Sequence, residues 1–340
     1  MKSKKIIKFS KNYNSILSIK KSMYNDNTKN LKGILRVNSF YKKQGLRKRC
    51  KNCNFKLPKK LFSSFKVGYS LCNNCNHLNG IYKDNFKFTK WLYSDNKGKN
   101  YDSDKDYNFF NQRVKNIHLP KVDFLRKVVK TKMQVLDLGA GSGQFLKALE
   151  IRKIKGIGYE PSKSFVDFGK KALKKNKLVN LGMDQTFNTI LNDKNSNVLS
   201  MICVLAHLEE PNKLIELYKK SNIKYLFFSV PLFSLSVFLE NSFKNVSPRH
   251  LGASHTNLYT KKSLDYLAKK NNLEIAGEWW FGADFPDLYR SLINSSTNHN
   301  MKSYKSNLDK NFFSVINELQ HVLDKNKICS EVHMVFKKKN

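Results

Sequence analysis

Val135-Leu136-Asp137-Leu138-Gly139-Ala140-Gly141-Ser142-Gly143 reads as an apolar strand that runs into a glycine-rich turn, and the segment after it, GQFLKALEIRK, reads as a helix. Glycines at 139, 141 and 143 let the backbone bend tightly and come close to a ligand. Asp137 stands at the end of the strand, and Glu160 ends the next strand, where an acidic side chain can accept hydrogen bonds from ribose hydroxyls. A dinucleotide site would show G-x-G-x-x-G with a pyrophosphate at the helix N-terminus. Here the spacing is D-x-G-x-G-x-G, and a carboxylate beside a pyrophosphate would repel it. The turn therefore suits a cationic ligand that carries an amino group.

Strands and helices alternate outward from this turn. IKGIGYEPS reads as a strand and KSFVDFGKKALKKN as a helix. NSNVLSMICVLAHLEE contains a strand, PNKLIELYKK is a helix, IKYLFFSVP a strand, KKSLDYLAKKNN a helix and LEIAGEWWF a strand. A long amphipathic helix, NLDKNFFSVINELQHVLDK, and a closing strand, ICSEVHMVFKKK, follow. This spacing implies βαβ units and an α/β fold: a doubly wound, mostly parallel, Rossmann-like sheet covered on both faces. The expected organisation is a basic arm over 1–49, loose or carrying a short helix, then a cysteine ribbon over 50–82. A connector that ends in a helix follows over 83–130, and the α/β domain occupies 131–340.

The ribbon rests on Cys50-x2-Cys53, 18 intervening residues and Cys72-x2-Cys75. Two C-x-x-C knuckles at this spacing can present four sulfurs to one tetrahedral zinc, with no open position for catalysis. Asn54 and Asn76 follow the pairs, where a knuckle needs a left-handed residue. His77 is a weaker candidate ligand. The sheet is expected to have its own core, so Cys72→Ser should destabilise the ribbon module and leave the sheet largely folded. Cys203 and Cys329 lie in apolar, strand-like segments and read as buried core cysteines.

At these residues the sequence resembles the class I S-adenosylmethionine (SAM)-dependent methyltransferases, whose first motif is similar to VLDLGAGSG and whose second strand ends like GYEPS, here Gly158 to Ser162. The resemblance implies a seven-stranded sheet. It implies that Asp137, Leu138, Gly139, Ala140, Gly141 and Gly143 hold the methionyl part of SAM, that Glu160 holds the ribose and that Asp184 sits near the adenine. Leu205-Ala-His207-Leu-Glu-Glu-Pro211 looks like a family segment after the fourth strand, with Ala206 where an acid is usual. Ser254-His255-Thr-Asn-Leu-Tyr259 looks like a second family segment. A cysteine ribbon before such a domain is similar to the sugar C-methyltransferase group, over roughly residues 50–280. That likeness makes His255, Tyr259 and His207 the candidate catalytic residues and a nucleotide-linked sugar the candidate acceptor.

Sixty-three Lys and Arg against 26 Asp and Glu give a formal net charge of +37. Such a field attracts anions. Lys, Asn, Ile, Phe and Tyr all have AT-rich codons, so genome composition is one source of the lysine. The expected partner is a small anionic acceptor. An RNA methyltransferase that grips RNA with the ribbon and arm is the alternative, and the charge favours it; the missing Asn/Asp-Pro-Pro-aromatic motif and the lack of an RNP-like aromatic pair count against it. A non-catalytic scaffold is a third reading, opposed by the intact Asp137, glycine turn and Glu160. Arg249 and Arg290 read as surface charges or anion binders, and Trp279, Trp280, Phe281 and Phe285 as core or an aromatic wall over a substrate. No run reaches the ~18–20 apolar residues of a membrane helix, and the start lacks an apolar signal region, so a cytoplasmic protein is expected.

Overall fold

A computed structural model describes residues 5–13, 26–94, 106–252, 255–296 and 301–339, without the side chains of 93, 94, 183, 184, 301 and 302. Its strands in chain order are β1 (Ile6–Phe9), β2 (Phe62–Ser64), β3 (Val67–Leu71), β4 (Leu78–Gly80), β5 (Gln134–Leu138), β6 (Lys155–Glu160), β7 (Lys177–Asn180), β8 (Val198–Ile202), β9 (Tyr225–Pro231), β10 (Asn257–Leu258), β11 (Leu273–Phe281) and β12 (Glu331–Lys338). The helices that matter below are α1 (Asn27–Tyr41), α2 (Leu119–Val128), α3 (Gln144–Ile151), α4 (Lys163–Ala172), α5 (Met183–Asn192), α6 (Pro211–Lys220), α7 (Leu235–Ser242), α8 (Lys261–Lys270) and α9 (Asp284–Ser295).

The main sheet has the order β1-β11-β12-β9-β8-β5-β6-β7. β5, β6, β7, β8 and β9 run parallel, and β12 is antiparallel to both β9 and β11. This is the class I methyltransferase arrangement, doubly wound and Rossmann-like. Strands covered on both faces read as near-continuous apolar runs, as Leu226, Phe227 and Phe228 of β9 do; all three are buried. One face packs Leu214, Ile215 and Tyr218 of α6 and Leu264 and Leu267 of α8 against Leu199, Met201 and Phe228. The other packs Phe124 and Leu125 of α2, Leu146 and Leu149 of α3 and Val166 of α4 against Val135, Phe227 and Trp279.

Several expectations need correction. Among the described residues of the arm, β1 adds an eighth strand to the expected seven, parallel to β11 with Ile6 opposite Gly277, and α1 is the helix offered as the alternative to a loose arm. Trp279, Trp280 and Phe281 take the first of their two readings, core, each 1% exposed, because successive side chains of β11 enter the clusters on the sheet's two faces. The long C-terminal helix is broken into Met301–Phe312 and Ile316–Lys325. Arg249 and Arg290 are not surface charges. Arg249 is half-buried and Arg290 buried, and both surround Asp287, with Arg249 Nε 2.8 Å and Arg290 Nε 3.7 Å from its carboxylate. Cys329 is buried as expected, whereas Cys203 is exposed.

The ribbon is also less separate than its spacing suggests. β2, β3 and β4 form a small antiparallel sheet, and its outer strand is β10, contributed from the far end of the chain. Its core joins Val67, Tyr69 and Leu78 to Val37 and Tyr41 of α1 and to Val237, Leu251 and Leu258. The ribbon and the α/β domain thus bury one another's apolar surface. Leu258→Ala should therefore cost about 2–5 kcal/mol in a single cooperative transition, followed by tryptophan fluorescence and far-ultraviolet circular dichroism. Two separate transitions would show that the modules fold independently.

Candidate active site and cysteine centre

At the carboxyl end of β5 the chain turns through three glycines in the left-handed region, Gly139 (φ 65°), Gly141 (φ 56°) and Gly143 (φ 80°). Their reasons differ. A Cβ on Gly139 would lie 2.6 Å from Val204 Cγ2, so the turn is pressed against the segment that follows β8. A Cβ on Gly141 would meet nothing within 4 Å, which leaves open space over the backbone at that residue.

Two carboxylates flank this space. Asp137, 2% exposed, accepts a hydrogen bond from Ser200 Oγ at 2.5 Å. Burial pushes its pKa up to about 7, against the opposing pull of Ser200. Glu160 accepts N–H bonds from Gly141 and Ser162, each at 2.9 Å. Burial raises its pKa and these two bonds resist the rise. A carboxylate offers about four acceptor positions, so two remain for hydroxyl donors.

Lys121 of α2 was not singled out from the sequence. It is 4% exposed, and burial lowers its pKa while Cys203, Glu331 and Asp137 favour its charge. It has no hydrogen-bond partner among the described residues. A buried ammonium left in this condition is costly. Together these groups fit SAM. Asp137 suits its ammonium, Glu160 its ribose hydroxyls and Lys121 its carboxylate, and the open space over Gly141 leaves room for it. Leu138 is buried in β5, and Ala140 N–H bonds Tyr159 O at 3.1 Å, so both shape the turn. The side chain of Asp184 lies outside the described residues.

The segment after β8 begins with Cys203 at φ 58°, its N–H bonded to Ser229 Oγ at 2.9 Å. Val204 then packs on Gly139, and a short turn presents His207. Forty-eight residues after His207, the loop after α7 presents His255. The two imidazoles stack with ring centroids 4.9 Å apart and planes at 25°, and the His250 ring lies 6.5 Å from that of His255. His207 and His255 are half-buried, while His250 is buried. The structure thus brings together the two histidines singled out from the sequence, and His207 follows Val204, which packs on the glycine turn, by three residues. Tyr259 is placed elsewhere: it is 1% exposed, with its ring edge-on to His77 at 4.4 Å. It packs the ribbon against the sheet with almost no exposed surface for an acceptor, which speaks against the catalytic role expected of it.

Cys50, Cys53, Cys72 and Cys75 bring their sulfurs within 4.8 Å of one another. The Cys50–Cys75 and Cys53–Cys72 separations are 3.7 and 3.4 Å, near the ~3.8 Å between thiolates around one tetrahedral zinc. Asn54 and Asn76 adopt the expected left-handed conformation, with φ of 62° and 56°. Asn79 Nδ2 donates to Cys50 Sγ at 3.5 Å and Asn52 Nδ2 to Cys75 Sγ at 3.6 Å. His77 stands outside the quartet and bonds Asn257 instead.

Residues 110–277 match the family model described as a methyltransferase domain. The match spans just under half of the chain, and the sheet order is that of the class I methyltransferase fold. No curated protein matches the chain. Among solved structures the chain is similar to a SAM-dependent methyltransferase from Archaeoglobus fulgidus, at 19% identity and TM-score 0.40, over 68% of this chain and 100% of that one. It is also similar to a plantazolicin methyltransferase solved with a triazolic analogue and S-adenosylhomocysteine, at 13% identity and TM-score 0.46, over 74% and 94%. A magnesium protoporphyrin IX methyltransferase from Synechocystis is similar at 13% identity and TM-score 0.41, over 68% and 88%. Among the described residues no helix is long and apolar enough to cross a membrane.

Elemental analysis of protein purified without added metal should find about one zinc per chain at the quartet. A folded protein with far less than one equivalent of any thiolate-binding metal would contradict this assignment.

Proposed function

We propose that the chain is a SAM-dependent methyltransferase acting on a small anionic acceptor, with a nucleotide-linked sugar or surface-polysaccharide precursor as the acceptor class. The observation that carries this reading is the contact of Gly139 with Val204, which sets the cofactor turn against the segment bearing His207. SAM supplies an electrophilic methyl group. The chain's own part is to hold the acceptor in line and to take its proton, and positioning accounts for much of such catalysis. An acceptor hydroxyl or carbon acid gives its proton to His255, an imidazole suited to accept it near neutral pH. His207, stacked on it, fixes the ring and is the next candidate for the base.

A groove of about 1000 Å³ supports the anionic acceptor. It is lined by Arg47, Lys48 and Arg49 at the end of the arm, by Lys51 of the ribbon and by Glu209 and Glu210, two and three residues beyond His207. Clefts lined mainly by one sign of charge concentrate oppositely charged ligands. The same basic lining supports the second reading, an RNA acceptor. Radiolabelled methyl transfer from SAM to a panel of nucleotide-linked sugars and to RNA separates the two. Label in the sugar fraction is expected. Label in RNA alone would replace this reading with the second, and SAM binding without transfer to any acceptor would favour a scaffold.

His255→Ala should lower kcat by ~10²–10⁴-fold with SAM affinity nearly unchanged; near-normal turnover would return His255 to a structural role. The pH dependence of SAM binding follows from Asp137. Its pKa of about 7 leaves it mostly protonated at pH 6, and only the ionised form attracts the ammonium. Affinity should therefore rise about tenfold from pH 6 to pH 8, with proton release on binding below pH 7. Calorimetric titration of Asp137→Asn should show a much flatter profile. An unchanged slope in that variant would move the titrating group elsewhere.

A further inference from the structure

We propose that Asn257 is a positioning residue through which the cysteine-quartet module sets the geometry of the His207–His255 pair. The proposal rests on the reading of that pair as the acceptor-side residues. The described residues on either side of His255, 249–252 and 256–258, are held from two sides. From the sheet side, Glu240 of α7 accepts the N–H groups of Arg249, His250 and Leu251 at 2.7, 2.7 and 2.9 Å. From the ribbon side, Tyr69 Oη accepts the N–H of Gly252 at 2.9 Å. Gly80 N–H donates to Thr256 O at 2.7 Å, and Thr256 Oγ1 donates to Asp84 at 2.7 Å. Asp84 is in turn paired with Lys51 and Arg47. His255 is therefore flanked by ribbon contacts at residues 252 and 256. The approach at Gly80 admits no side chain, since a Cβ there would lie 2.8 Å from Thr256 O.

Asn257 joins this support to the other histidine. Its Oδ1 accepts from His77 Nε2 at 3.0 Å, two residues beyond Cys75. Its Nδ2 donates to Ala206 O at 2.7 Å, the carbonyl next to His207. Asn257 is 2% exposed and lies in β10, paired with Asn79 of β4. One buried amide thus spans the ribbon, the residue before His207 and the strand two residues after His255. Breaking it leaves a buried donor and a buried acceptor unpaired, which such groups resist strongly. A primary amide meets both demands with one acceptor and one donor. Aspartate keeps only the acceptor, and leucine keeps neither.

The test uses the full-length protein with histidine labelled for NMR, as wild type, Asn257→Leu and Asn257→Asp. SAM titration serves as the check of folding, because the glycine turn is untouched, and affinity within about threefold of wild type is expected. In Asn257→Leu the imidazole resonances of both His207 and His255 should move and the contact between their rings should be lost. Asn257→Asp, which keeps the bond to His77, should show a smaller displacement, and it decides the question if the leucine variant does not fold. Imidazole resonances coincident with wild type in a folded variant would overturn the proposal. NMR reads the position of the rings and not turnover. Normal activity of His255→Ala would count against the catalytic reading, whereas unmoved ring resonances would count against this one, so the two failures are distinguishable.

Discussion

The contact between Gly139 and the Val204 side chain is the constraint on which the rest of the site depends. At φ 65°, and with Val204 Cγ2 2.6 Å from where a Cβ would be, residue 139 has to be glycine. Any side chain would push the turn away from the segment after β8. Because β5 and β8 are neighbours in the sheet, with Asp137 opposite Ser200, this close approach joins the two ends of the chemistry. Asp137 and Glu160 lie on one side of it, and Cys203 and the turn to His207 on the other. In open α/β sheets ligands gather at the carboxyl ends of strands, and here one glycine sets the spacing at that place.

Holding the second histidine demands a costly arrangement of buried charge. Asp284 accepts from the hydroxyls of Ser234 and Ser236 and from the backbone N–H of Ser236 and Ser330. Asp287 is kept below the usual carboxylate range, since Arg249 and Arg290 outweigh the effect of burial. Glu240, pushed up to about 7 by burial and by Asp287 against three backbone N–H bonds, ties the base of the histidine loop. Buried ionic groups of this kind are weak evidence for stability in general. Their effect here is to tie the loop's described start, at Arg249, His250 and Leu251, to α7. The same loop ends in β10, so the ribbon closes what the carboxylates begin.

Much of this was legible in the sequence because it is local. Strand and helix periods, the D-x-G-x-G-x-G spacing and the paired C-x-x-C knuckles each lie within a few tens of residues. So does the need for a left-handed residue at Asn54 and Asn76. What escaped depends on pairing across the chain. Ile6–Phe9 is four residues in a basic stretch, and only its pairing with β11, some 270 residues away, makes it a strand. A lysine in a helical pattern reads as solvated, so Lys121 was invisible until the sheet ends surrounded it. Tyr259 shares a segment with His255, but the short β10 carries it past the site to His77. Cys203 sits among apolar residues, yet a positive-φ turn exposes it.

The most direct test of the account is a crystal structure of the protein with S-adenosylhomocysteine. The account predicts the ribose hydroxyls on Glu160, the amino group beside Asp137, the carboxylate near Lys121 and the sulfur directed toward the His207–His255 rings. A nucleoside bound away from the glycine turn, or a sulfur directed away from the two histidines, would contradict it.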